Sequence, residues 1–205
     1  MLNVKLQEVV IDPLLQERVK IYNVPGGWDV KDDCVKEFKE QLKPLLVKNQ
    51  KNRCAYCGLP LETRNPEIDH IAPKGGIKRI KHPEVTFLPL NLVYACHNCN
   101  STECKGQKDV VESKTSSDYR AWSFKMVHPY LDDPKDFFEI TKDEHIMSIP
   151  KKGANNINKQ KAEYTIEMFN LNSEARLTEL AKQIHFERNS EEIKNIVLEI
   201  STYME

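Results

Sequence analysis

Cys54 and Cys57 sit two residues apart in CAYCG, and Cys96 and Cys99 repeat that spacing in CHNC after 38 intervening residues. A Cys-x-x-Cys turn lets both sulfurs reach one ion at about 2.3 Å, and two such turns close a tetrahedral site. Four soft thiolates select Zn2+ and leave no position open for substrate, so this ion is expected to be structural. The bland alternative is four unrelated buried cysteines. Cys34 and Cys104 belong to neither pair and read as free thiols. His97, inside the second pair, reads as an exposed or indirect neighbour rather than a ligand.

Between the pairs lie residues of a different chemistry. Ile68-Asp69-His70 sets a carboxylate beside an imidazole at the end of an expected strand, Asn91 precedes the second pair, and Asn100 follows it. Hydrolysing a phosphodiester needs a base to activate water and a hard cation to stabilise the charge that develops on the phosphorane and leaving oxygen. Histidine titrates near neutrality and suits the first task. Asp and Asn oxygens suit the second, because Mg2+ prefers oxygen ligands and keeps several waters. An isolated Asp-His pair is more often structural; its place between two metal-binding turns gives it interest.

Charge sharpens that reading. The net charge over 205 residues is -1, so no global basic signature points to a nucleic acid. From Lys43 to Lys81, however, nine Lys/Arg stand against three Asp/Glu, whereas from Ser173 to Glu205 seven acids stand against four bases. Lys74, Lys78, Arg79 and Lys81 are candidates to track a phosphate backbone, although a charge run is commonly just a solvated face. No apolar run approaches the roughly 18 to 20 residues of a membrane span. The opening MLNVKLQEVVIDPLL lacks the basic-then-apolar layout of a secretory signal, so a cytoplasmic setting is expected.

The elements that must position these residues can be read coarsely. Val4 to Val10 reads as a strand or extended arm, and Pro25-Gly26-Gly27 breaks the chain. Asp32 or Asp33 can cap a helix through Val35, Phe38, Leu42 and Leu45/Leu46, with Pro44 expected to kink it or end it early. Leu59 to His70 reads as a hairpin arm, Pro73 to Pro83 as a loop, Asn91 to about Gly106 as a turn and helix, and 112–118 as a polar connector. A second hairpin is expected over Phe137 to Ile140 and Ile146 to Ile149, and a helix over Asn156 to Phe169. Two more helices follow Ser173 (Leu177, Leu180, Ala181, Ile184) and Ser190 (Ile193, Ile196, Val197, Ile200), each with serine as cap. The expected class is α+β, with segments 1–50, 51–110 and 111–205 as helical arm, zinc-stapled core and mixed C-terminal flank.

The string CAYCG…EIDHIAPKGG…LPLNLVYACHNCN resembles the HNH, or ββα-metal (His-Me finger), endonuclease motif in its four-cysteine form. The resemblance covers residues 54 to 106 and implies a small ββα-metal core. It makes His70 the general base, Asp69 and Asn100 the ligands of a catalytic Mg2+ or Mn2+, and Asn91 the residue that orders the loop and fixes the histidine. The chain would be an H-N-N variant. It departs from the family in one respect: the lysine expected three residues after Asn100 is Lys105, displaced by two residues and so rotated by roughly 200° on a helix. Its reach to phosphate then depends on that helix ending early. FKMVHPYLDDPKDFF and TIEMFNLN are also similar to flanks of HNH proteins from anti-phage systems of the Septu and retron-associated kind, which implies DNA as substrate (RNA being open) and an ATPase partner. His128 and Tyr130 lie in that flank and could contact DNA or a partner, packing within the flank being the commoner role. A zinc-stapled nucleic-acid-binding or scaffold module without cleavage is the rival expectation.

Overall fold

The computed structural model describes residues 4–62, 64–141, 147–189 and 191. Helix α1 (Pro13–Val19) starts from the Asp12 cap with proline in its first turn, where a missing N–H costs nothing. Helix α2 (Asp33–Asn49) follows, capped by Asp32 and burying Val35, Phe38, Leu42 and Leu46 on one face. Pro44 neither kinks it short nor ends it. Both Pro44 and Glu40, whose carbonyl would have taken the absent N–H, face solvent, so water can satisfy the orphan group.

Strand β1 (Glu67–His70) is followed by the two-residue strands β2 (Gly75–Gly76) and β3 (Arg79–Ile80), then β4 (Leu92–Ala95) and the four-residue helix α3 (His97–Asn100). β1 pairs antiparallel with β4, His70 opposite Leu92 and Asp69 opposite Val93. Two expectations change here. The hairpin arm over 59–70 is one strand whose partner lies beyond a long connection, because Leu59 and Leu61 fold back onto residues 52–54. The turn and helix expected from Asn91 to about Gly106 are strand β4 plus one helical turn: Val93 and Tyr94 favour a strand, and β1 supplies the edge they pair with.

Beyond the core, β5 (Val111–Ser113) pairs with β6 (Ser123–Phe124), so part of the expected polar connector is strand. β7 (Phe138–Thr141) and β8 (Met147–Pro150) form the expected second hairpin, and α4 (Asn156–Met168) and α5 (Glu174–Arg188) the expected helices. The last expected helix, with Ile193, Ile196, Val197 and Ile200, lies outside the described residues. One apolar cluster runs from Leu6 through Phe38, Phe87, Leu92 and Phe124 to Leu171, so arm, knuckle and flank share a core. Among the described residues no helix is long and apolar enough to cross a membrane. The architecture is mixed α+β with a four-cysteine cluster.

Candidate active site and metal centre

The end of α2 builds the first cysteine turn. Buried Gln50 donates to the carbonyls of Arg53 and Tyr94 and accepts from the Tyr94 N–H, tying helix, turn and β4 together. Cys54 N–H donates to Leu59 O, Gly58 N–H to Cys54 O, and Gly58 adopts the left-handed φ of 72° that glycine tolerates. The second pair sits at the exit of β4 and in α3, and Cys96 N–H points at the Cys54 sulfur at 3.4 Å.

All four sulfurs are buried and lie within 4.8 Å of one another, Cys57 and Cys96 at 3.8 Å, the edge expected for four thiolates about 2.3 Å from one Zn2+. Burial opposes charge on Cys54, but hydrogen bonds from the Cys96 and Cys99 thiols hold it well below the usual thiol range. The Cys54 sulfur pushes Cys96 up to about 11 and Cys99 well up. Four buried thiolates crowded this closely repel one another, and a Zn2+ ion would supply the compensating charge. The partly buried Arg176 guanidinium lies 3.8 Å from the Cys99 sulfur, and the Arg64–Glu179 ion pair (2.7 Å) adds a second tie from α5 to the residues beside the knuckle. His97 is exposed, and Cys34 lies away in α2.

His70 ends β1, only 5% exposed, against the edge of the Trp28 ring at 4.6 Å. Its Nε2 is 3.1 Å from the Thr86 carbonyl oxygen. A carbonyl only accepts, so Nε2 carries the proton and Nδ1 keeps the lone pair. Burial, with Lys74 and Lys105 nearby, pushes the imidazole down to about 3, so the ring is neutral at pH 7. Asn91 bridges the loop segments on either side of it. Its Oδ1 accepts from Ala72 N–H (2.7 Å) and Tyr119 O–H (2.8 Å), and its Nδ2 donates to the carbonyls of Ala72 and Val85. It does not touch the histidine ring; it fixes the backbone on both sides of it, next to Thr86.

Asp69 is the surprise. Its carboxylate accepts from Tyr56 O–H and from Lys105, whose ammonium lies 3.0 and 3.2 Å from the two oxygens and 2.7 Å from the His70 carbonyl. Lys105 is wholly buried. Helix α3 does end early, yet Lys105 turns inward onto Asp69 instead of outward to a phosphate, which corrects its expected role. Asn100 donates from Nδ2 to Glu67 Oε2 at 2.7 Å, so its Oδ1 points elsewhere and stays available to a cation. Oxygen donors of the type Mg2+ or Mn2+ prefer are therefore present on Asp69 and Asn100, but any ion must share Asp69 with an ammonium. Among the basic candidates, Lys74 reaches Asp29, Lys81 reaches the Gln107 carbonyl, and Lys78 and Arg79 are exposed.

Tyr56, Glu67, Thr86 and Tyr119 were not singled out by sequence reasoning; only Tyr56 carries a hint, lying inside the first cysteine turn. His128 and Tyr130 pack inward: His128 Nε2 donates to the Tyr119 oxygen that in turn donates to Asn91, and Tyr130 O–H donates to Leu92 O.

No family model matches the chain. A stretch of 57 residues, 28% of the chain, is 40% identical to 5% of the CRISPR-associated endonuclease Cas9 of Corynebacterium diphtheriae. A stretch of 87 residues, 42% of the chain, is 37% identical to 23% of Protein ea31 of Escherichia phage lambda. The chain thus spans only a minor part of either relative, and the likeness is local.

Proposed function

We propose that the chain is an HNH endonuclease: a zinc-stapled ββα-metal core that hydrolyses DNA phosphodiesters with Mg2+ or Mn2+. The observation that carries this reading is His70, a neutral imidazole whose Nε2 is pinned to the Thr86 carbonyl while Nδ1 keeps its lone pair, beside Asp69 on one strand. The local likeness to an enzyme named an endonuclease supports it. Nδ1 would take the proton of the attacking water, and Trp28 and Thr86 hold the ring in place. Asp69 and Asn100 would hold the cation, which when bound supplies charge stabilisation at the scissile phosphate and leaving 3′-oxygen. Asn91 keeps the loop from moving Thr86 and so the ring. Lys74, Lys78, Arg79 and Lys81 would contact phosphates with little sequence preference.

Plasmid nicking in Mg2+ tests this. Wild type should nick and His70→Ala should lose roughly 100-fold or more in rate; equal rates would remove His70 from the chemistry. The rival binding module has one observation in its favour, the Lys105 ammonium already seated on Asp69. It predicts no cleavage by either protein with DNA binding retained. Service as an anti-phage effector with an ATPase partner is part of the proposal and rests on the flank strings; co-purification from the native host tests it, and a fully active lone chain would count against it.

A further inference from the structure

The β2–β3 hairpin follows His70 after a four-residue link, and its role is not exhausted by its charge. Gly75 has φ +72°, and a Cβ there would fall 2.1 Å from the Arg79 carbonyl oxygen, so only glycine closes the hairpin. Pairing of Gly75 with Ile80 and Gly76 with Arg79 leaves Ile77 and Lys78 as its two-residue tip. Tips this tight ordinarily carry Asn-Gly or Asp-Gly. Here an isoleucine stands at the tip with 77% of its surface open, and Ile80, opposite Gly75, is 59% exposed.

The hairpin is braced at its base and open at its tip. Lys74 bonds Asp29 and Lys81 bonds the Gln107 carbonyl, whereas Lys78 and Arg79 form no ion pair among the described residues. One side of Ile77 lies over Gly26, and a groove of about 600 Å3 separates the tip from the Gly26–Val30 segment. Between Gly26 and Asp29, which both line the groove, the chain carries Trp28, whose ring packs against His70. From Lys74 to Lys81 there are four cations and no acid, which matches a polyanion and mismatches an ordinary apolar protein patch.

We infer that this hairpin is a wedge for duplex DNA: Ile77 enters between stacked bases while Lys78 and Arg79 hold the adjoining phosphates. The inference rests on the nucleic-acid reading above and adds to it a duplex substrate deformed beside the candidate base. An apolar side chain flanked by cations is how proteins unstack and kink a base step, and a single strand offers no stack to enter. Lys78 and Arg79 alone would bind without deforming.

The test uses the full chain in buffer stripped of divalent ions without added chelator, so that the cysteine site keeps its metal and nothing is cut. The probe is a 30-base-pair duplex carrying 2-aminopurine, with the matching single strand as control. Wild type should brighten the duplex probe several-fold and prefer duplex. Ile77→Ala should bind about tenfold more weakly and leave the probe dark at saturation. Lys78→Ala and Arg79→Ala should each lower the salt slope by about one and still brighten it at saturation. An exposed tip residue should leave the melting temperature unchanged, which checks folding. Unchanged brightening by Ile77→Ala, or equal preference for single strand, overturns the wedge alone. Absence of any nucleic-acid binding by wild type overturns both wedge and nuclease, and capture of a protein in place of DNA does the same.

Discussion

The two candidate metal sites of this chain are built on opposite plans. The sulfur site is made by two local turns whose four thiols converge to within 4.8 Å of one another, an arrangement compatible with a structural zinc ion. The oxygen site is assembled from β1, the last residue of α3 and a long loop, and its groups already satisfy one another: Asp69 with Lys105 and Tyr56, Asn100 with Glu67. The first gathers four buried thiols that only a cation could hold as thiolates; the second is held together by the protein's own groups.

The largest effect that would break this contrast is loss of zinc. Chelation or Cys96→Ser should remove much of a binding free energy on the order of 10 kcal/mol and abolish cooperative melting followed by circular dichroism. Removing Mg2+ or Mn2+ should shift the melting temperature little. A next, smaller effect concerns the internal cation. Lys105→Met leaves a buried carboxylate without its partner and should cost about 3–5 kcal/mol in urea denaturation, part of it recovered by Asp69→Asn in the double variant. Additive losses would show the pair is not coupled.

A smaller, pH-dependent effect follows from His70 and His128, two of the buried imidazoles. Burial holds His128 well below its usual value and His70 at about 3, so both stay neutral in the fold while an unfolded chain takes up protons below about 6.5. Their contribution is complete above that pH and is lost as pH falls through it, at about 1.4 kcal/mol per unit for each histidine. His128→Gln should halve that share of the slope between pH 6 and 4.5. The smallest effect is expected at the tie from α5: Arg64→Ala should cost no more than about 1 kcal/mol, because Glu179 is half exposed, while speeding zinc loss to a chelator.

What could be read from residues alone follows the same division. The cysteine turns, α2, the β7–β8 hairpin and α4 are governed by near neighbours in the chain, through spacing, caps and helical periodicity. Strand β4 was not legible, since Leu92–Ala95 becomes strand only because Glu67–His70 arrives beside it. Lys105 was misplaced for a related reason: ending α3 at Asn100 frees the chain to reverse, and the deficit of positive charge at Asp69, which no local pattern reveals, draws the ammonium in. His70 and Asn91 stand out in the sequence as candidates, but the Thr86 carbonyl and the His128–Tyr119–Asn91 relay behind them join residues too far apart in sequence to announce one another.

The central claim is that the free Nδ1 of His70 activates water, and chemical rescue tests it most directly. His70→Gly should lose nicking in Mg2+ and recover a measurable part of it when imidazole is added, the small base filling the space left under Trp28 and beside Thr86. A glycine variant that nicks at the wild-type rate without imidazole would contradict the account.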